Sequence, residues 1–509
     1  MHTQLRQLKW HQIILLLAML FGGLVRLAPI LIADFPINDG GMFYTMIRDL
    51  IANHFRLPAY TTYNLSNIPY AYPPAGFYLM AGLHVGTGIS ELTLLRWIPA
   101  FLNILSIFLF YKMAACLLKK ESLAAVATAC YALLPGSYTW FVMGGGLTRS
   151  LGGAAFILSV TMLYKLFESR DKKYLLFAIL ACTLSVLSHP EAALHTAASG
   201  LLLWLFFGRS GDNTLRAGAV AAGTLILSAV WWGPVLVQHG FAPFISAVQT
   251  GDPGKSVILY GLLDFLSLST YIPILALLRL AGVVSMFRSR NFFLLTWMIL
   301  PYLIEPRSAY DYSMFPLALL GGLGWDEISR LVRTFLQKRR REAAALADIQ
   351  SRTPTMLLVG SIFYLFIVCA FLTYRHSNTI LPPSVRPVFS WIEAQTPADG
   401  QFLILTGDPY VMVTPVQEWF PALTQRRSVT TLQGLEWSLG GQFFQRSRQL
   451  RELQECETVD CVSDWALVND LQFTSILAAK NTAFVDLISE LRVQHTPIYE
   501  TADWIVINW

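Results

Sequence analysis

Long apolar runs alternate with short polar connections along most of this chain. The runs have the length an α-helix needs to cross a hydrocarbon core, about 17 to 25 residues. Their pattern predicts membrane helices at 11–32, 94–118, 122–143, 148–167, 174–189, 191–207, 215–237, 257–280, 291–304, 313–329 and 354–374, about eleven in all. The first run follows Arg6 and Lys9 and lacks a small-residue cleavage site, so it reads as a retained helix.

The polar connections are not equivalent. Arg6 and Lys9, Lys119-Lys120, Arg170 with Lys172-Lys173, Arg209, Arg288 with Arg290, and the run Lys338 to Arg341 fall in alternate connections. The positive-inside rule makes that set, and the N-terminus, cytoplasmic. The other set carries chiefly Arg48, Arg56, Arg149, Lys255 and Arg307. On that external side fall the loop with Asp34 and Asp39, the His189-Pro190-Glu191 turn, the 238–256 loop and Glu305-Pro306-Arg307. An odd number of crossings also puts the C-terminal region outside.

Beyond residue 375 the pattern changes to short alternating or apolar runs, Phe402–Leu405, Ser428–Leu432 and Trp504–Ile507, with a polar helical stretch near 442–455. This predicts a small α/β domain docked on the membrane face. The expected organisation is a transmembrane domain over 1–375, with an external first loop over 33–93, and an extracytoplasmic α/β domain over 376–509. The segment around 330–352 is expected to be an amphipathic helix with its basic residues at anionic headgroups.

Composition agrees with a bilayer protein. The 509 residues are 54% hydrophobic and 14% charged, where a soluble domain carries roughly 25% charge. The net charge of +5 is spread over short loops and points to no nucleic-acid partner. Nothing in the C-terminal region resembles a nucleotide fingerprint or a P-loop, and the chain shows no internal repeat. Of six cysteines, Cys116, Cys130, Cys182 and Cys369 lie in apolar runs as small hydrophobes. Cys456 and Cys461 are either a short-loop disulfide, if their region is external, or a pair of free thiols.

Candidate chemistry gathers in the external connections. Asp39 follows the Pro36 break, precedes Gly40-Gly41 and opens a stretch, Met42–Leu50 with Tyr44, that reads as an interfacial helix. A carboxylate at the edge of low dielectric gains basicity suited to taking a proton from a hydroxyl. Asn38 and Asp39 equally fit a helix cap and turn. Asp34 is a second carboxylate at the mouth of the first helix, for substrate, metal or turn.

The segment Tyr70 to Tyr78, with Tyr72 and Pro73-Pro74, offers flat hydroxyl-bearing surfaces at headgroup depth, as substrate contacts or as an aromatic belt. Arg307, beside Glu305, is a planar fork suited to a phosphate. An ion pair with Glu305 or Asp311 is its alternative role. Arg149, after Gly144-Gly145-Gly146, is a second phosphate candidate. His189 and Glu191 break an apolar stretch, and intramembrane ionisable residues mark function by default. Glu191 and His195, four apart, supply only two ligands for a metal. Asn64-Leu65-Ser66 fits a glycosylation acceptor pattern.

An acidic residue just after helix one, a Tyr-Pro-Pro segment before helix two and an external Pro-Arg opening a late helix together resemble the GT-C superfamily. These are polytopic glycosyltransferases that use polyprenyl-phosphate sugars; the nearest group is the protein-mannosyltransferase and aminoarabinose-transferase one. The resemblance covers roughly residues 10 to 375. It implies an acceptor-side base or metal partner at Asp39 and a donor-phosphate contact at Arg307. The partners it implies are a polyprenyl-phosphate sugar donor, a protein, lipid or glycan acceptor, and membrane lipids. The family's acidic pair is adjacent, whereas Asp39 stands between Asn38 and Gly40, which leaves a divalent cation (Mg or Mn) open. If Asp39 deprotonates an acceptor that attacks the sugar directly, the anomeric configuration inverts. Two other readings compete: a transporter or lipid-carrier flippase, and a non-catalytic envelope assembly protein.

Overall fold

A computed structural model describes residues 9–169, 171–250, 257–266, 272–339 and 347–509. Arg6, Arg170, Lys255, Arg340, Arg341, the 251–256 part of the external loop and the middle of the 330–352 helix lie outside the described residues.

The molecule is a multi-pass helical membrane protein with a small C-terminal mixed sheet. Among the described residues, five helices are long and apolar enough to cross a bilayer: Trp10–Ile32, Glu91–Leu118, Gly146–Glu168, Gly211–His239 and Thr355–Ser377. Shorter apolar helices, Lys173–Ser188 and Phe293–Ile304, pack among them. Ser90 and Ser210 cap two of the long helices by accepting hydrogen bonds from the backbone N–H of Thr93 and Asn213. The region predicted as 122–143 is helical only over Glu121–Ala132. Pro135 then opens a 3-10 turn, and the chain runs irregularly to Gly146. The region predicted as 257–280 holds two helices, Val257–Leu266 and Pro273–Ser289, the second starting at its proline.

That irregular stretch is stapled to the first helix. Arg26, fully buried, donates to the carbonyls of Gly22, Ala132 and Ser137 and to the Ser137 hydroxyl. The carbonyls stranded at the end of Glu121–Ala132 thereby gain a donor. The Pro135–Gly146 segment is thus held beneath the loop that follows the first helix.

That loop is ordered. It carries helix Gly41–Ala52, a two-stranded hairpin of Tyr60–Thr61 and Ile68–Pro69, and helix Ala75–Thr87 after Pro73-Pro74. The C-terminal sheet has strand order Arg427–Ser428, Gln401–Leu405, Ser475–Ala479, Trp504–Asn508, Pro497–Glu500. Its first three strands are parallel and the last two antiparallel. One apolar core joins sheet and loop, with Phe35, Phe43, Phe77, Phe402, Trp419 and Phe420 among its members. Asn64 seals this junction: its side chain donates to the Ser428 carbonyl and accepts from the Ser428 N–H, at 3.0 and 2.6 Å. Buried and doubly bonded, it is a structural asparagine in this fold rather than the glycan acceptor its tripeptide suggests. Cys456 and Cys461 form a disulfide.

The two ends of the bundle differ in charge partners. Lys119 pairs with Glu168, Lys120 with Asp326 and Arg288 with Glu327 at one end. Asp39 meets Arg149 and Glu191 meets Arg307 at the other.

Candidate functional site

Glycine sets the approach of two loops. Gly40 has φ +121°, and an added Cβ on it would lie 3.0 Å from the backbone of Gly144. A Cβ on Gly144 would fall 2.1 Å from the Asp39 carbonyl oxygen. Backbones this close exclude any side chain. The contact brings the Gly145 N–H to Asp39 Oδ1 at 2.8 Å. Asp39 Oδ2 lies 4.0 Å from Arg149 on the next helical turn, and the Arg149 guanidinium rests over the Trp140 ring. Burial pushes the Asp39 carboxyl above its ordinary value, with Arg149 opposing that rise.

A second ion-pair group stands beside the first. His189 Nδ1 is 3.8 Å from Glu191, and Glu191 is 3.4 Å from Arg307. Arg307 also lies 3.7 Å from Glu305 and donates to the Thr250 hydroxyl at 2.9 Å. Its side chain remains 45% exposed, so its fork is open to a further anion. Tyr72 bridges the groups. Thr148 donates weakly to its hydroxyl at 3.5 Å, and its ring contacts His189, Phe43 and Trp437. Asp39, Arg149, Tyr72, His189, Glu191, Glu305 and Arg307 therefore converge from segments far apart in sequence.

Four candidates stand apart. Asp34 forms a two-point ion pair with Arg386, both contacts 2.8 Å, and this bonding holds its carboxyl below the usual range. Tyr44 is taken up by Arg48, which donates to its hydroxyl and lies over its ring. Tyr78 donates to the Phe55 carbonyl near the surface. His195 bonds Ser308 and stacks on Tyr312 at 4.0 Å instead of joining Glu191.

Two acidic residues that pattern reasoning passes over come from the C-terminal region. Glu418, in helix Pro415–Thr424, is buried and accepts from Gly40 N–H at 2.8 Å. Burial, then the nearby Asp39 charge, push its carboxyl well up. Glu436, in the 3-10 turn Leu435–Trp437, is likewise raised by burial, with Arg307 opposing. The one available signal is an acidic residue inside each of two otherwise uncharged, aromatic-containing segments, Val416–Phe420 and Leu432–Trp437.

The donor set does not suit a resident divalent cation. Among the described residues no group of three or more His, Cys, Asp or Glu is arranged to hold a metal. Asp39 spends one oxygen on a backbone N–H and turns the other toward a guanidinium, and Glu418 is occupied by backbone donors.

A membrane bundle carrying a folded first loop, packed against a C-terminal mixed sheet, matches the fold of solved GT-C membrane glycosyltransferases. No family model matches the sequence, and no curated protein matches it either. Solved structures do. ArnT from Cupriavidus metallidurans in the apo state aligns with TM-score 0.60 and 13% identity, over 98% of this chain and 97% of its own. Another ArnT structure is bound to undecaprenyl phosphate. The archaeal oligosaccharyltransferase AglB from Archaeoglobus fulgidus, in complex with an inhibitory peptide and a dolichol-phosphate, aligns with TM-score 0.60 and 13% identity, over 92% of this chain and 69% of its own. A further structure of the A. fulgidus enzyme contains Zn and sulfate. The arabinofuranosyltransferase AftD from Mycobacteria aligns with TM-score 0.54 and 13% identity, over 98% of this chain but 40% of its own.

Proposed function

We propose that this chain is a membrane glycosyltransferase that moves a sugar from a polyprenyl-phosphate carrier to an extracytoplasmic acceptor, with inversion at the anomeric carbon. The observation that carries the reading is the meeting of Asp39 with Arg149, beside Arg307 and Glu191, at one end of a GT-C fold. Arg307 and Arg149 grip the donor phosphate, whose lipid tail stays in the bilayer. Asp39 Oδ2 takes the proton of the acceptor hydroxyl or amide. The acceptor atom then bonds to the anomeric carbon, while the bond from that carbon to the phosphate oxygen breaks and the carrier phosphate leaves with the electron pair. Tyr72, His189, Glu191 and Glu305 line the sugar and phosphate positions. About eleven crossings place the N-terminus in the cytoplasm and 376–509 outside, an assignment supported by the Cys456–Cys461 disulfide and by the gathering of Lys119, Lys120 and Arg288 at the end away from Asp39.

The test uses purified protein in lipid with radiolabelled polyprenyl-phosphate hexoses and a panel of acceptors, with and without EDTA. Asp39→Asn should lower turnover about 10²–10⁴-fold with donor binding kept, the range of a lost general base. Arg307→Ala should instead weaken donor binding at least about tenfold through loss of charge-assisted bonds. Donor release by Asp39→Asn at the wild-type rate would sink the assignment.

A further inference from the structure

Asp39 sits in an unusual stretch of backbone. The residue before it, Asn38, has φ 55°, and the residue after it, Gly40, has φ 121°. A non-glycine residue at positive φ is uncommon and persists only where its surroundings hold it. Helix Gly41–Ala52, which starts immediately afterwards, has no side-chain cap of its own. Nothing within the first loop explains why this conformation is kept.

The C-terminal region supplies what is missing. Trp419 Nε1 donates to the Asn38 carbonyl at 2.9 Å, on one side of Asp39. On the other side Glu418 Oε1 accepts from the Gly40 N–H at 2.8 Å, and the nearby Met42 N–H also favours its ionised form. A carboxylate at these amides caps the helix start from another part of the chain, where it also meets the positive end of the helix dipole. The grip is itself anchored: Tyr63 donates to the Glu418 carbonyl at 2.7 Å, and a Cβ on Gly41 would lie 2.5 Å from that carbonyl oxygen. Trp419 is fully buried and Glu418 nearly so.

We propose that Glu418 and Trp419 are positioning residues that clamp the peptide on both sides of Asp39 and aim its carboxylate between Gly145 and Arg149. This rests on the reading of Asp39 as the reacting carboxylate. The C-terminal region is then part of the catalytic apparatus and not only a cover. Arg307, the exposed half of the donor grip, is held by Glu191, Glu305 and Thr250 and not by the clamped peptide, so loosening the clamp acts mainly on turnover.

The experiment compares wild type, Glu418→Ala, Glu418→Gln, Trp419→Phe and Asp39→Asn in lipid nanodiscs, by two readouts. One is amide hydrogen exchange in overlapping peptides spanning 36–50. The other is kcat and donor KM with the polyprenyl-phosphate hexose panel. In Glu418→Ala the Gly40 amide should exchange at least about tenfold faster, and kcat should fall about 30- to 100-fold with donor KM within about twofold, as expected for a misplacement on the order of 1 Å. Glu418→Gln keeps an acceptor oxygen and should recover kcat to within about fivefold of wild type. Trp419→Phe keeps the ring without the N–H, and should show the same two changes at about one-third the size. It also carries the test if Glu418→Ala fails to fold.

Exchange at the wild-type rate in both the alanine and phenylalanine variants overturns the clamp. So does faster exchange with unchanged kcat. Asp39→Asn should lose turnover with exchange unaltered. If wild type turns over none of the hexose donors, the transferase reading fails on its own, and the exchange contrast between Glu418→Ala and Glu418→Gln still decides the clamp.

Discussion

Gly145 offers a way to move the Asp39 carboxylate without touching it. A Cβ added there would lie 2.4 Å from Asp39 Oδ2 and 2.7 Å from its Cγ. Ordinary contact begins near 3.4 Å, so the carboxyl must recede by about 1 Å. The obstructing atoms are the end of a side chain, which can swing away. Gly145 itself has φ −70°, which alanine adopts freely. Gly145→Ala should therefore cost stability little, at most the low end of the roughly 1–3 kcal/mol of overpacking. Turnover should fall about 10²-fold, since a shift of about 1 Å in a reacting group costs that much. Gly144→Ala is the contrasting case. Its Cβ would meet the Asp39 carbonyl oxygen at 2.1 Å, where only the backbone can yield. That variant should lose stability at or above the upper end of the same range. Gly82→Ala, with nothing within 4 Å of the new Cβ, is the control. The assays are thermal unfolding in detergent and sugar transfer from the labelled donor. Gly145→Ala that folds like wild type and transfers sugar at the wild-type rate would refute the placement of Asp39 at the reacting centre.

Two other outcomes follow from the same charges. The base works only when ionised, so activity should fall as pH drops through the Asp39 value, which burial has raised; Arg149→Gln removes the opposing cation and should move the acid limb of kcat/KM to higher pH, and a limb that stays put or moves down contradicts the pairing. Asp34 is 62% exposed and its pair with Arg386 is screened by water, so Asp34→Asn should cost at most about 1 kcal/mol and leave kcat unchanged. The Asp34 carboxyl is depressed in the folded state, so whatever stability it adds is present above its unfolded value, near 3.8, and is lost as pH falls through the lower folded one. Melting curves of wild type and Asp34→Asn should converge at the acid end, and a difference that widens there would contradict the linkage.

What the sequence made legible follows from how far each signal reaches along the chain. Apolar period and length place the first helix, predicted at 11–32 and found at Trp10–Ile32, because a bilayer imposes a local requirement on every residue of a span. The same signal misreads 122–143, where an apolar run invites a span yet Pro135 and Gly136 end the helix after 12 residues and turn the chain into a loop. In the C-terminal region, strand Gln401–Leu405 and helix Phe443–Leu453 match local patterns. Ser475–Ala479 and Pro497–Glu500 escape because short buried strands carry little period, and pairing across the sheet defines them.

The candidate site divides along the same line. Asp39, Arg149, Glu191 and Arg307 are conspicuous because a charged residue at a membrane edge is costly and stands out against apolar neighbours. Asp34 looks as conspicuous, and only the fold reveals that Arg386, 352 residues away, occupies it. Glu418 gives the opposite lesson. It lies in a region where acidic residues are ordinary, and its meaning comes from a partner amide 378 positions earlier. A membrane protein thus advertises the charges set in its helices and loops, where the surroundings make each one expensive. It conceals a charge such as Glu418 in the C-terminal mixed-sheet region, where the expense appears only on packing against the first loop.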